Sequence, residues 1–309
     1  MKHREETDPD VGTGLRIREA SELLGVPAAT LRSWEHRYGL PVTSRSAGGH
    51  RRYTQAALTQ LGLMRDEVAS GQKASDAARR VRALLDEMSP ARPRIDAVLA
   101  GSERRDATEI RAALEDSFAD LGLAETLDQV VLPVMRQIGT WWASGRCDPG
   151  QEQLTTAAVR AWLARITTLA PSPEPDRQVL LATGPHDVHT LGLEALAAVL
   201  VNQGTSCRIL PASTPVSVLT TEAAAASPSA VVIVSHLSSQ RRSAVASLVA
   251  VAESGRPTFY GGNAFRSPLT RKRVPGSYLG ERMVEAAAMI QGSVRTAFPA
   301  VEQTSSSPA

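Results

Sequence analysis

The chain has 309 residues, 42% hydrophobic and only 4% aromatic, with 34 Lys and Arg against 32 Asp and Glu for a formal net charge of +2. This apolar content excludes a wholly disordered chain, and the length suffices for two or three modest cores. No apolar run approaches the roughly 18 residues of a membrane helix, and the opening MKHREETDPDVGTG has no apolar signal-peptide core. Cys147 and Cys207 are too few for a disulfide framework. The expectation is a soluble cytoplasmic protein with no membrane partner.

Charge is distributed unevenly. Between Gly14 and Leu85 twelve Lys and Arg face six Asp and Glu, a local +6 that leaves −4 for the rest. A basic excess confined to one segment points to a polyanion partner for that segment. Ser89-Pro90-Ala91-Arg92-Pro93 and Pro171-Ser172-Pro173-Glu174-Pro175 interrupt helical patterning and read as linkers. They divide the chain into blocks at about 14–85, 95–170 and 177–296. The first and last dozen residues read as disordered tails, and no internal repeat of about 20 to 50 residues is present.

In the first block the spacing predicts a short helix over Ile17–Leu24, ended by Gly25-Val26-Pro27. A second helix begins near Ala28 and runs through His36. Helix, glycine-containing turn and helix make a helix-turn-helix. Leu31 and Trp34 share one face of the second helix and pack inward. Arg32, Ser33, His36 and Arg37 point elsewhere and can reach a major groove. In the run Arg45 to Tyr53, Gly48-Gly49 makes a tight turn. Arg45, His50, Arg51, Arg52 and Tyr53 around it sit on a β-wing beside phosphates. Singly, Trp34 reads as core and the arginines as a solvated face; turn, helix and basic wing together point to double-stranded DNA.

The middle block is rich in Ala and Leu, has apolar spacings of three and four, and reads as a helical bundle. Leu132–Gly139 leads into Trp141-Trp142. Pro149-Gly150 is read as a helix break, with Gln151-Glu152-Gln153-Leu154 starting the next helix. An indole before the break and a carboxylate after it can both face a ligand at the open end of the bundle. Taken alone, tryptophans at a helix end read as packing residues.

The last block alternates. Strand candidates are Val179–Ala182, Cys207–Leu210, Ala230–Ser235 and Thr258–Tyr260, with helices including Leu193–Asn202 and Ser243–Glu253 between them, which implies a parallel sheet with right-handed crossovers. After the first strand the loop carries His189, with Asp187 two residues before it and Gly192 three after. It lies at a strand's carboxyl end, where open α/β sheets bind ligands, and it lacks the GxGxxG of a dinucleotide site. Imidazole is a good cobalt ligand, a carboxylate can orient the ring through its other nitrogen, and Gly192 permits close approach of a bulky planar group.

The run IREASELLGVPAATLRSWEHRYGLP…RSAGGHRRYT resembles the DNA-binding domain of MerR-type transcription regulators. WExRYGLP and the GGxRxY wing are similar to its light- and cobalamin-dependent branch, the CarH/LitR photoreceptor regulators. Metal-sensing members carry binding cysteines at spacings that Cys147 and Cys207 do not offer. Asp187-x-His189-x-x-Gly192, Ser235-x-Leu237 and Gly261-Gly262, each following a strand, resemble the DxHxxG…SxL…GG signature of cobalamin-binding domains shared with methionine synthase and the corrinoid mutases. The resemblance implies an α/β multi-domain architecture: a winged helix-turn-helix, a helical bundle cap, and a flavodoxin-like parallel-sheet cobalamin-binding domain.

It further implies base-off cobalamin, adenosylcobalamin foremost, with His189 as lower axial ligand to the metal and Asp187 behind it. Ser235 and Leu237 line the slot for the nucleotide tail, Gly261 and Gly262 lie against it, and His186 and His236 are bystanders. The family's Trp, nine residues, Glu-His pattern over the upper face of the corrin is met by Trp142 and Glu152, with Gln153 in place of the His. Ala143 stands where photosensing members carry a second His. The implied protein is no enzyme but a repressor whose homo-oligomer, dimer or tetramer, forms on operator DNA with adenosylcobalamin in the dark and is broken by light. Ala143 and Gln153 keep a second reading open, a regulator of this fold that senses cobalamin without light or holds another ligand. A corrinoid protein for methyl transfer or isomerisation is a third, and it leaves the basic winged helix unexplained.

Overall fold

The computed structural model describes residues 14–41, 44–45, 51–170, 174–225 and 227–297, and the chain forms two compact units, Met1–Arg92 and Pro93–Ala309. The proposed tails, the first linker residues of the Pro171 run and the wing tip with Gly48, Gly49 and His50 lie outside the described residues.

The first unit opens with α1 (Ile17–Leu24), stopped by Gly25 in the left-handed region, and α2 (Ala28–Tyr38), stopped the same way by Gly39. Strands β1 (Ser44–Arg45) and β2 (Arg51–Arg52) pair antiparallel as a wing. Two further helices follow, α3 (Gln55–Ala69), capped by the Thr54 hydroxyl, and α4 (Ala74–Glu87). Leu31 and Trp34 are buried, as their spacing predicts, in a core with Ala20, Leu61, Met64 and Val81. The Arg82 guanidinium donates to the Tyr38 carbonyl, tying α4 to the end of α2.

The second unit holds both remaining blocks. Its helices are α5 (Arg92–Glu103), α6 (Ala107–Leu121), α7 (Leu123–Thr126), a π-turn (Leu127–Val131), α8 (Leu132–Ala143) and α9 (Pro149–Leu169). Pro149 is not a break: with Asp148 as N-cap, accepting from the Gln151 N–H at 3.0 Å, it opens α9 at a position where its missing N–H costs nothing. Ile110, Leu127, Ile138 and Trp162 fill the bundle core, with Phe118 edge-on to Trp162 at 6.2 Å.

Strands β3 (Glu174–Thr183), β4 (Thr205–Ile209), β5 (Ala230–Val234), β6 (Thr258–Gly261) and β7 (Ser277–Tyr278) form one parallel sheet in the order β4-β3-β5-β6-β7. Helices α10 (Leu191–Asn202), α11 (Val216–Ala225), α12 (Arg241–Ala252) and α13 (Met283–Ala297) make the crossovers and the closing layer. This 2-1-3-4-5 order is flavodoxin-like, and its switch point lies between β3 and β5. All five residues of β5 are buried, as a strand covered on both faces requires.

Bundle and sheet share the second unit, and side-chain bonds join them. From the π-turn, Asp128 reaches the start of α13 and accepts from the Met283 N–H at 2.6 Å and the Val284 N–H at 3.3 Å. Arg282 joins it, donating to Glu125 at 2.9 Å. Burial holds the Asp128 carboxyl above its ordinary range, against those donors and Arg282. Asp128 is therefore the N-cap of a helix 155 residues further along the chain. Replacing it with alanine is expected to lower stability by about 1–2 kcal/mol, read as a lower urea midpoint. A midpoint equal to that of the parent would mean the cap is idle.

Candidate functional site

Two sites were expected from the sequence. In the first unit Arg32, His36 and Arg37 of α2 are exposed and Ser33 half-buried, so the face opposite Leu31 and Trp34 is free to meet a groove. Of the wing residues, Arg51 donates to Glu35 at 2.7 Å, pinning the wing to α2. Arg52 donates to the Gly14 carbonyl at 3.3 Å. The backbone of Arg45 pairs with Arg51. Tyr53 is fully buried in the core and its backbone bridges Leu15, so its ring supports the wing from beneath.

The second site forms at the β3/β5 switch point. Strand β3 ends at Thr183, and Gly184 donates to the Val234 carbonyl at 3.0 Å, which brings the Gly184–Thr190 loop beside the residues following β5. Asp187 is fully buried and accepts three hydrogen bonds. Its Oδ1 takes the His189 N–H at 3.0 Å and the His189 ring Nδ1 at 2.8 Å, and its Oδ2 takes the His236 N–H at 2.6 Å. Burial raises this carboxyl, but the three donors outweigh it and hold it below the ordinary range. A carboxylate only accepts, so Nδ1 carries a proton, and in the neutral ring Nε2 holds the lone pair. The His189 side chain is 50% exposed, which leaves that nitrogen open to a ligand-seeking metal.

The loop is stiffened from both sides. The His186 N–H donates to Ser213 at 2.9 Å and the His186 carbonyl accepts from Gln240 at 2.6 Å. Arg160 of α9 donates to Glu194 at 3.0 Å and Thr190 at 2.9 Å, clamping the first turn of α10 to the bundle. His236 is not the bystander it was expected to be. Its backbone holds the second oxygen of Asp187, and its ring lies 5.7 Å from that of His189. Sequence reasoning missed this because any residue can supply a backbone N–H. Burial pulls the His236 imidazole below the usual histidine value.

Around this centre the other expected residues have distinct environments. Ser235 is buried, and its Oγ has no hydrogen-bond partner among the described residues. Val188 and Leu237 are exposed apolar side chains on the loops that follow β3 and β5. Gly262 has φ 95°, and a Cβ there would collide with the Ser235 carbonyl. Gly261 makes no such demand, and a Cβ at Gly192 would only touch the His236 ring at 3.5 Å. On the bundle Trp141 is buried under the Arg146 guanidinium, whereas Trp142 is 57% exposed. Glu152 is half-buried on the first turn of α9 and accepts from Thr156 at 2.9 Å. Burial pushes the Cys207 thiol up to about 12. Among the described residues no group of three or more His, Cys, Asp or Glu is placed to hold a metal ion.

These features suit a corrinoid: one oriented imidazole, an orphaned buried hydroxyl and exposed apolar side chains at a switch point. Residues 15–84 match the MerR HTH family regulatory proteins, and residues 95–167 match the B12 binding domain. The chain thus combines a MerR-type helix-turn-helix domain with a B12-binding domain, the make-up of a cobalamin-dependent DNA-binding transcription regulator. It is 29% identical over 272 residues to the HTH-type transcriptional repressor CarH of Myxococcus xanthus, covering 82% of this chain and 90% of that protein. It is 29% identical over 212 residues to the HTH-type transcriptional repressor CarA of the same organism, covering 66% and 70%. The monomethylamine corrinoid protein of Methanosarcina barkeri shares the fold at a TM-score of 0.51 and 12% identity, over 64% of this chain and 97% of that one. No helix among the described residues is long and apolar enough to cross a membrane.

Proposed function

We propose that this chain is a cytoplasmic repressor, not an enzyme, whose operator binding is set by adenosylcobalamin. The observation that carries the reading is the Asp187–His189 pair at the switch point, in which the carboxylate engages Nδ1 of a half-exposed imidazole and leaves Nε2 as the ring nitrogen for a metal. Bound cobalamin supplies a cobalt ion with an upper ligand that light can cleave. The protein does the rest. His189 would supply the nitrogen ligand to the cobalt, with Asp187 fixing its ring and tautomer. The unpartnered Ser235 hydroxyl offers a hydrogen bond to the nucleotide tail beside Leu237, Gly261 and Gly262, and Gly192 leaves the backbone approachable. Trp142 and Glu152 would cover the cofactor from the bundle. Filling the site fixes bundle against sheet, that arrangement selects a homo-oligomer, and an oligomer engages several DNA half-sites at once. Arg32, Ser33, His36, Arg37, Arg45, His50, Arg51 and Arg52 serve the DNA side.

A second reading is favoured by Ala143 and Gln153, which supply no imidazole to take the upper position after illumination. On that reading cobalamin is sensed and light is not. Absorption spectra of the protein incubated with adenosylcobalamin, in darkness and after green light, with gel filtration of both samples, separate the two. A base-off spectrum with a size change on illumination supports the photoreceptor; the same spectrum with constant size supports the light-indifferent sensor. His189→Ala is expected to abolish the His-on spectrum. Corrinoid binding and DNA control that both survive this change would sink the assignment.

A further inference from the structure

We propose that the α/β domain carries a second contact for the phosphodiester backbone of duplex DNA, formed by the start of α12 and the loop that leads into β7; this rests on the DNA-binding reading. From Arg241 to Gly276 seven Arg and Lys face one carboxylate, Glu253, a local +6 equal to that of the winged segment. With both +6 segments set aside, a total of +2 leaves −10 for the remainder, so this is an island of positive charge in an acidic surround. Arg256 precedes β6 at the opposite end of the sheet, and Arg266 is matched by Glu281 at 2.6 Å. The other five belong to one neighbourhood. The Arg241 guanidinium donates to the Thr270 carbonyl at 2.8 Å, tying the helix to the loop, and the Arg271 guanidinium stacks 4.3 Å over the Tyr278 ring. These two act as struts.

Arg242, Lys272 and Arg273 are exposed and have no acidic partner among the described residues. Arg242 stands on α12, and the loop that carries Lys272 and Arg273 is stiff. It consists of two 3-10 turns, Asn263–Phe265 and Pro268–Arg271, the second capped by Ser267. Gly276 is in the left-handed region, where a Cβ would strike the Thr258 carbonyl, and Arg273 is held at φ 58°, a conformation that disfavours a side chain. Adjacent unpaired cations on a rigid support repel one another and lose little freedom on binding, so an anion that bridges them is gained cheaply. A row of phosphates fits better than a single one because the charges are spread over a helix start and a loop. The winged helix of the same chain also presents a duplex at high local concentration.

The test measures binding of the full-length chain to a mixed-sequence DNA duplex several helical turns long, by anisotropy across roughly 50 to 200 mM KCl. Replacing Arg242, Lys272 and Arg273 together with alanine is expected to reduce the slope of log affinity against log salt by about 2 to 3, at about 0.9 per lost phosphate contact. The charge-retaining set Arg242→Lys, Lys272→Arg and Arg273→Lys is expected to keep the parent slope. An unchanged slope in the alanine variant overturns the second contact and leaves the winged-helix reading intact. A lowered slope in the charge-retaining set as well ties the effect to a disturbed fold and overturns it too. Loss of corrinoid binding with an unchanged DNA slope would assign the patch to the cofactor instead. If the parent chain binds no duplex, this proposal falls together with the DNA-binding reading.

Discussion

Asp187→Ala is expected to destabilise the second unit by about 3 kcal/mol or more, because it removes one buried carboxylate that holds three donors from two loops. Cobalamin affinity should fall with it, by about 10- to 100-fold, the usual cost of losing the group that orients a metal-ligating histidine. Urea unfolding reads the first effect and titration with hydroxocobalamin the second. Asp187→Asn separates them: the amide still accepts on one oxygen but no longer draws the proton to Nδ1 as a carboxylate does. If Asp187→Asn binds cobalamin like the parent, the carboxylate does not set the tautomer of His189.

Gly262→Ala is expected to be comparably severe. The position has φ 95°, and the added carbon would meet the Ser235 carbonyl, which is itself committed to the Ala264 N–H at 3.1 Å. Backbone meets backbone there, so no side chain can swing aside. A loss of about 3 kcal/mol, or a Tm lower by about 6 to 12 °C, follows for a unit of this size. Gly261→Ala is the internal control. Its nearest neighbour would lie 3.8 Å away, an ordinary contact, and it should melt close to the parent. Equal losses at both positions would show that the collision is relieved by some movement of β5 or β6.

Much of this was legible in the chain because the signals are local. Gly25 and Gly39 end helices by their freedom to turn left-handed, and Leu31 and Trp34 share a face by spacing alone. The four apolar runs became four of the five strands of the sheet. Strand β7 went unseen because two residues, Ser277 and Tyr278, make no run. The first strand reaches back to Glu174, three residues before the proposed boundary, because ladder pairing with Thr205 needs no apolar side chain. The π-turn at Leu127–Val131 keeps the apolar spacing of a helix and is invisible to it. Pro149 could have been read correctly from Asp148 before it. Asp187, His189, Ser235 and Gly262 were found as a spaced pattern, but the grip of the His236 backbone on Asp187 depends on two loops meeting.

The carboxylate of Asp128 has a consequence for how the second unit can be dissected. A fragment that stops after α9 would keep that side chain and lose both the Met283 and Val284 amides and Arg282. It would then leave that carboxylate without its backbone donors or its cation, and bare the face of the bundle that α13 covers. The sheet half alone would start α13 with bare amides. Each piece is thus a poorer folder than its size suggests, and bundle and sheet should melt in a single cooperative transition.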